Sequence, residues 1–261
     1  SAAKAARLAD AATVAATPAE AVDGAGLVVL MLEDGGAVGE VLFERGAAAA
    51  AERGALVVDM SSIDPPRARA HAARLAALGL RAVDAPVSGG EAGAIAGTLS
   101  IMAGGAAEDV AAAAAALAPL GRVTHVGPAG AGQTAKLANQ MIVGVTIGAV
   151  AEAFALVRAA GGDLEAARAA LLGGFARSAV LEAHGRRMID GDYAPGGPAR
   201  VQRKDLDNAL AAAAEAGARL PLTERAAGAF RALVDEMAGG ELDHAAYALW
   251  LARENGAGGT D

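Results

Sequence analysis

The sequence predicts an α/β sheet domain followed by an all-helical domain, and three observations carry that expectation. Short β-branched runs alternate with alanine-rich stretches through the first half, the rhythm of a parallel sheet with crossover helices. The hexapeptide Gly127-Pro128-Ala129-Gly130-Ala131-Gly132 ends that rhythm. Beyond it, Ala, Leu, Glu and Arg recur at helical intervals with no convincing strand. The sheet domain is therefore expected over residues 1–128 and the helical domain over 129–261.

Taken in order, residues 27–32, 56–60, 80–85, 99–103 and 123–126 are expected as strands, because each is a short apolar or β-branched run between turn-forming residues. Residues 18–22, 35–45, 67–77 and 107–117 are expected as helices. Thr17 supplies an N-cap ahead of Pro18 at the first turn. In the second half, breakers at Gly161-Gly162, Gly173-Gly174, residues 191–198, residues 217–221 and Gly239-Gly240 divide the chain into about five helices. The charge-free stretch between Lys136 and Glu152 is shorter than the roughly 20 residues needed to cross a bilayer. A buried helix is the expectation there, with Gly144 and Gly148 allowing close packing in a core. Residues 255–261 are expected to be a frayed tail.

Composition narrows the function. With no cysteine, disulfides, thiolate metal sites and a cysteine nucleophile are excluded. The formal charge of -8 disfavours a general nucleic-acid surface, which needs a basic stripe, and points to a small-molecule partner. The start, Ser1 to Arg7, lacks the continuous apolar core of a signal peptide, so a cytoplasmic location is expected. His71, His125, His184 and His244 are scattered without a metal-ligand spacing, and no metal is expected.

Two motifs carry chemistry. In Gly127-x-x-Gly130-x-Gly132-x-x-x-Lys136-x-x-Asn139, a glycine-rich turn opens into the apolar helix, and Lys136, Asn139 and Gln140 share one helical face. A lysine there either snorkels to the surface or acts as a general acid, donating a proton to a carbonyl oxygen while hydride reaches carbon; desolvation favours the second use by easing proton loss. In Asp84-Ala85-Pro86-Val87-Ser88-Gly89-Gly90, a strand end runs into a hydroxyl and successive backbone N–H groups. That is either a cradle for a carboxylate at the carboxyl edge of the sheet or a glycine turn that only reverses the chain.

With Asp59-Met60-Ser61-Ser62-Ile63 and Gln202-x-Lys204-Asp205-Leu206, these motifs resemble the signatures of the β-hydroxyacid dehydrogenases almost from end to end. Gly173-Gly174-Phe175-Ala176, Leu181-Glu182-x-His184-Gly185-x-Arg187-Met188-Ile189 and Gly240-x-Leu242-Asp243-His244 look most like the tartronate semialdehyde reductases within that family. The resemblance implies a Rossmann-type domain binding NAD or NADP, a helical domain that closes the cleft, and a homodimer or homotetramer. It implies Lys136 as the catalytic acid; Ser88, Gly89, Gly90, Asn139 and Asp205 as substrate-binding residues; and Met31, Leu32, Ser62 and Lys204 on the cofactor side. The related alternatives are 3-hydroxyisobutyrate dehydrogenase or another semialdehyde reductase. An imine reductase is disfavoured because those usually replace the lysine. An alternative of another class is a catalytically silent oligomerisation module.

The sequence departs from the family pattern twice. The strand and G-x-G-x-x-G loop that hold the pyrophosphate in the family are expected upstream of Ser1, so the sheet domain is expected to be N-terminally incomplete. Gly197 stands where the family usually carries an aromatic, which predicts an open space of roughly one side chain, with Phe175 as the first candidate to take over the ring's role.

Overall fold

The computed structural model describes residues 2–256 and forms two compact units, Ser1–Lys136 and Leu137–Asp261. Ser1 and residues 257–261 lie outside the described residues, and with them most of the expected tail.

In the first unit the chain order is α1 (Ala2–Ala6), α2 (Pro18–Val22), β1 (Leu27–Leu30), α3 (Gly35–Gly39), α4 (Ala47–Ala50), β2 (Leu56–Asp59), α5 (Pro65–Ala77), β3 (Arg81–Asp84), β4 (Val87–Ser88), α6 (Gly90–Ala96), β5 (Leu99–Gly105), α7 (Ala107–Leu117) and β6 (Gly121–Gly127). Local chemistry sets the helix starts. Thr17 Oγ1 accepts from Glu20 N at 3.2 Å, and Asp34 and Asp64 each accept an amide from the residue three further on. The helix expected over residues 35–45 is α3 followed by a π-helical turn, Glu40–Glu44.

The expected parallel sheet is present, with an antiparallel junction within it. β1, β2 and β3 are parallel, β5 runs antiparallel to β3 and β4, and β6 is parallel to β5. β4 reaches β5 through residues 89–98, fewer than the dozen or more a parallel crossover needs. β4 continues the line of β3, since Asp84 faces Gly104 and Val87 faces Ile101. Pro86 sits in the gap between them, where its missing N–H costs no ladder bond.

Side chains alternate across this sheet. Val28, Leu30, Val57 and Ile63 pack with Val38, Leu42 and Leu75 on one face, while Leu56, Val58, Val83 and Ile101 pack with Val110 and Leu117 on the other. Burial on both faces explains why Leu56, Val57 and Val58 of β2 are consecutive apolar residues. β1 is the outer strand of the described sheet, and its Val29 is 46% exposed.

The second unit contains most of α8 (Ala131–Ala159), with α9 (Leu164–Leu172), α10 (Ala179–Asp190), α11 (Ala199–Glu215), α12 (Pro221–Asp235), a 3-10 turn (His244–Ala246) and α13 (Tyr247–Glu254). Among the described residues that is six α-helices where the breakers suggested about five. Its core is built on Ile147, Phe154, Leu181, Leu206, Phe230 and Leu233.

Gly144 and Gly148 serve close packing, as expected. A Cβ on Gly144 would lie 2.7 Å from Gln202 Nε2, and one on Gly148 would lie 3.1 Å from the Tyr247 hydroxyl. By length and composition α8 is also apolar enough to cross a membrane. The expectation of a buried helix holds for one stripe only, because Ile142 and Leu156 on its other side are exposed.

Candidate active site

The site in the sheet unit is organised by the Asp84 carboxylate. Oδ1 accepts from Gly130 N at 2.6 Å and Oδ2 accepts from Gln133 N at 2.9 Å, so the end of β3 receives the first free amides of α8. The glycines permit this approach. A Cβ on Gly132 would lie 2.4 Å from Met102 O and 2.6 Å from Asp84 O, and one on Gly104 would lie 2.7 Å from Asp84 Oδ1. Any side chain at Gly132 would push the helix off the sheet. The glycine motif is therefore a seat for α8, and it sets Lys136, half-buried, on the second turn.

Gln133 is fully buried and ties the same helix to the loop after β2. Its Oε1 accepts from Ile63 N at 3.0 Å and its Nε2 donates to Ser61 O at 2.8 Å. Ser61 in turn accepts Leu32 N on its Oγ at 2.9 Å and donates its own amide to Asp59 Oδ1 at 2.9 Å. The segments after β1 and β2 and the last residue of β3 are thus joined through one hydrogen-bonded chain.

Burial pushes the Asp59 pKa up to about 6; the Ser61 bonds oppose the shift and the nearby Asp84 charge adds to it. Burial also raises Asp84, against the pull of its amide donors.

Around this brace stand the residues expected from sequence in this unit. Ser88 is half-buried in β4, and Gly89 and Gly90 are exposed beyond it with φ of 136° and 61°, a backbone that glycine adopts without strain. Met31 is 64% exposed beyond β1, next to Leu32, and Ser62 is half-buried beyond β2. The Met31 and Ser62 side chains stand at the carboxyl ends of neighbouring parallel strands, the edge at which such sheets bind ligands.

The helical unit holds the remaining residues. Asn139 Nδ2 donates to Gln140 Oε1 at 2.9 Å, and Gln140 Nε2 donates to Asp205 Oδ2 at 2.9 Å. Lys204 Nζ lies 3.6 Å from Asp205 Oδ1. Asp205, at 1% exposure, anchors both Gln140 and Lys204.

Two expectations are corrected. Gly197 does not leave an open space: a Cβ there would lie 1.9 Å from His244 Nε2, so the imidazole already fills the place. Phe175 is fully exposed and fills nothing. His184 and His244, distant in sequence, stack at 5.4 Å between ring centroids beside Asp243.

Asp243 is 1% exposed and meets His184 Nδ1 at 3.2 Å, Arg187 Nη1 at 2.6 Å and the amides of Gly196, Gly197 and Ala245. Burial alone would raise its pKa. The His184 bond and the amides nevertheless hold it well below the usual carboxylate range, and the Arg187 contact acts in the same direction.

Sequence reasoning quoted Asp84 and Asp243 as motif letters without a role and missed Gln133. A glutamine directly after the glycine-rich turn, at the start of a mostly apolar helix, was the available signal for Gln133. Among the described residues no group of three His, Asp or Glu is placed to hold a metal. A cavity of about 680 Å³ in the helical unit, lined by Phe154, Met188, Tyr193 and Leu249 among others, contains none of the site residues.

The comparisons with known proteins agree with this geometry. Residues 1–127 match the model of the NAD binding domain of 6-phosphogluconate dehydrogenase, and residues 130–251 match that of the NAD-binding domain of NADP-dependent 3-hydroxyisobutyrate dehydrogenase. The chain is 41% identical to 2-hydroxy-3-oxopropionate reductase of Escherichia coli K12 over 88% of its own length and 79% of the relative's. It is 39% identical to 3-hydroxyisobutyrate dehydrogenase of Pseudomonas aeruginosa, over 77% and 70%. The solved structure of Mycobacterium tuberculosis 3-hydroxyisobutyrate dehydrogenase with L-serine superposes with a TM-score of 0.88 at 30% identity, covering 96% of this chain and 88% of that one. With the lysine helix seated on the Asp84 strand end and both halves matched in order, this chain belongs to the NAD(P)-dependent β-hydroxyacid dehydrogenases.

Proposed function

We propose that this chain reduces tartronate semialdehyde (2-hydroxy-3-oxopropanoate) to glycerate, with Lys136 as the proton donor. The observation that carries the reading is the seating of α8, which fixes Lys136 on a helix whose first amides are bonded to the strand end leading into Ser88-Gly89-Gly90. NADH or NADPH, when bound, supplies the hydride.

The chain's own residues then have distinct tasks. Ser88 Oγ and the backbone beside Gly89 and Gly90 grip the substrate carboxylate, and the Lys136 ammonium releases its proton to the carbonyl oxygen as charge develops there. Asn139, three residues beyond Lys136 on α8, holds the substrate hydroxyl, and Asp205 with Lys204 acts through Gln140 to orient it. Met31, Leu32 and Ser62 line the nicotinamide side. We infer a cytoplasmic homo-oligomer, a dimer or tetramer, with the exposed Ile142 and Leu156 side of α8 as the apolar surface available for pairing.

The substrate assignment rests on the 41% identity to a 2-hydroxy-3-oxopropionate reductase and on the sequence stretches around Gly173, Leu181 and Gly240. The second reading, a 3-hydroxyisobutyrate dehydrogenase, has nearly equal support at 39%. Initial rates of the full-length protein with both semialdehydes separate them. A kcat/KM at least about 10-fold higher for tartronate semialdehyde than for methylmalonate semialdehyde is expected, the scale that one substituent commands in a fitted pocket. The reverse preference overturns the substrate assignment, and no turnover of either with NADH or NADPH favours a silent module.

A further inference from the structure

We propose that Gln133 and Asp84 are positioning residues that set where Lys136 stands, a role that rests on the reading of Lys136 as proton donor. Three observations meet here. Gln133 is fully buried with both side-chain amide atoms bonded to main chain of the loop after β2, at 3.0 Å to Ile63 N and 2.8 Å to Ser61 O. The Asp84 carboxylate takes the amides of Gly130 and Gln133 with its two oxygens. Gly104 and Gly132 bring helix and sheet into direct backbone contact, since a Cβ on Gly104 would lie 2.7 Å from Gly132 N and one on Gly132 2.6 Å from Asp84 O.

Lys136 lies three residues beyond Gln133, nearly one turn along the same helix. A rotation or slide of that first turn therefore moves the ammonium together with it. An error of about 1 Å at a reacting group can cost on the order of 100-fold in rate. The loop that Gln133 holds also carries Ser62 and, through Ser61 Oγ, Leu32. One side chain thus spaces the proposed proton donor against the segments proposed to line the nicotinamide.

The test is a double-mutant cycle in the full-length protein. Gln133→Met keeps size and removes both bonds. It is expected to lower kcat by roughly 10- to 100-fold while KM for substrate and cofactor move less than about 3-fold. In a Lys136→Ala background the same change is expected to lower kcat by less than about 2-fold, because the group it positions is gone.

Asp84→Asn is the second variant, should Gln133→Met not fold. Its new N–H₂ faces a donor, so it is expected to lower kcat in the same background-dependent way. The proposal is overturned if the folding variant keeps kcat within about 2-fold, or loses the same factor whether or not Lys136 is present, which is the signature of a structural role alone. If Lys136→Ala itself keeps normal kcat, the acid assignment fails first and the brace fails with it, a result distinct from additivity in the cycle.

Discussion

Two buried carboxylate centres, one in each unit, show what a protein can do with the same side chain. In the sheet unit Asp59 and Asp84 are held by backbone amides and a serine, and burial raises the pKa of both. In the helical unit Asp243 is 1% exposed, yet Arg187, His184 and three amides converge on it and its pKa is depressed. The first arrangement orders loops at a site while keeping charge marginal; the second is an ion-paired clasp that fixes the segment before α11. Stability should respond to pH with opposite sign in the two places.

Breaking the clasp should have the largest effect. Asp243→Ala leaves Arg187 and His184 without their shared anion and three amides without an acceptor, and is expected to cost about 3–5 kcal/mol, read by urea unfolding at pH 7. A loss under about 1 kcal/mol would show that the cluster is dispensable. Gly197→Phe is expected to cost about 1–3 kcal/mol, because the ring must displace His244 from its stack on His184. An unchanged Tm for that variant would mean the imidazole moves aside freely.

The sheet unit gives a smaller effect of opposite sign. Asp59 is raised from 3.8 to about 6, so its protonated form is favoured in the fold and its contribution to stability, complete below pH 4, is lost as pH rises through 6. Asp59→Asn keeps an acceptor for Ser61 N and removes the buried charge. It is expected to be more stable than the parent by on the order of 1–3 kcal/mol at pH 8, with the gain vanishing near pH 4. A variant less stable at pH 8 would show that the carboxylate is needed ionised.

How much of this was legible depends on how local the cause is. The helices Pro18–Val22 and Ala107–Leu117 occur at the bounds read from sequence, because caps, proline and apolar spacing act within a few residues. The strands were legible as β-branched runs, but the antiparallel seating of β5 against β3 was not, since register arises between residues some 20 apart in the chain. The lysine, asparagine and Ser-Gly-Gly motifs announced themselves by residue type. Asp84 and Gln133 did not announce their partners, which are 46 to 72 residues away. At Gly197 composition misled: a missing side chain suggested a space, and a histidine 47 positions later occupies it.

The assignment of Lys136 as proton donor is tested most directly by steady-state kinetics of Lys136→Ala and Lys136→Arg in the full-length protein, with cofactor binding measured beside them. Alanine removes the proton source while leaving the α8 seat at Gly130, Gln133 and Asp84 in place. It is expected to lower kcat by on the order of 10² to 10⁴ while the cofactor dissociation constant changes less than about 3-fold. Arginine should not rescue turnover in the alcohol-oxidising direction, because a guanidinium that stays protonated cannot accept the returning proton. Near-normal kcat in Lys136→Ala would contradict the account and leave the lysine as a structural cation.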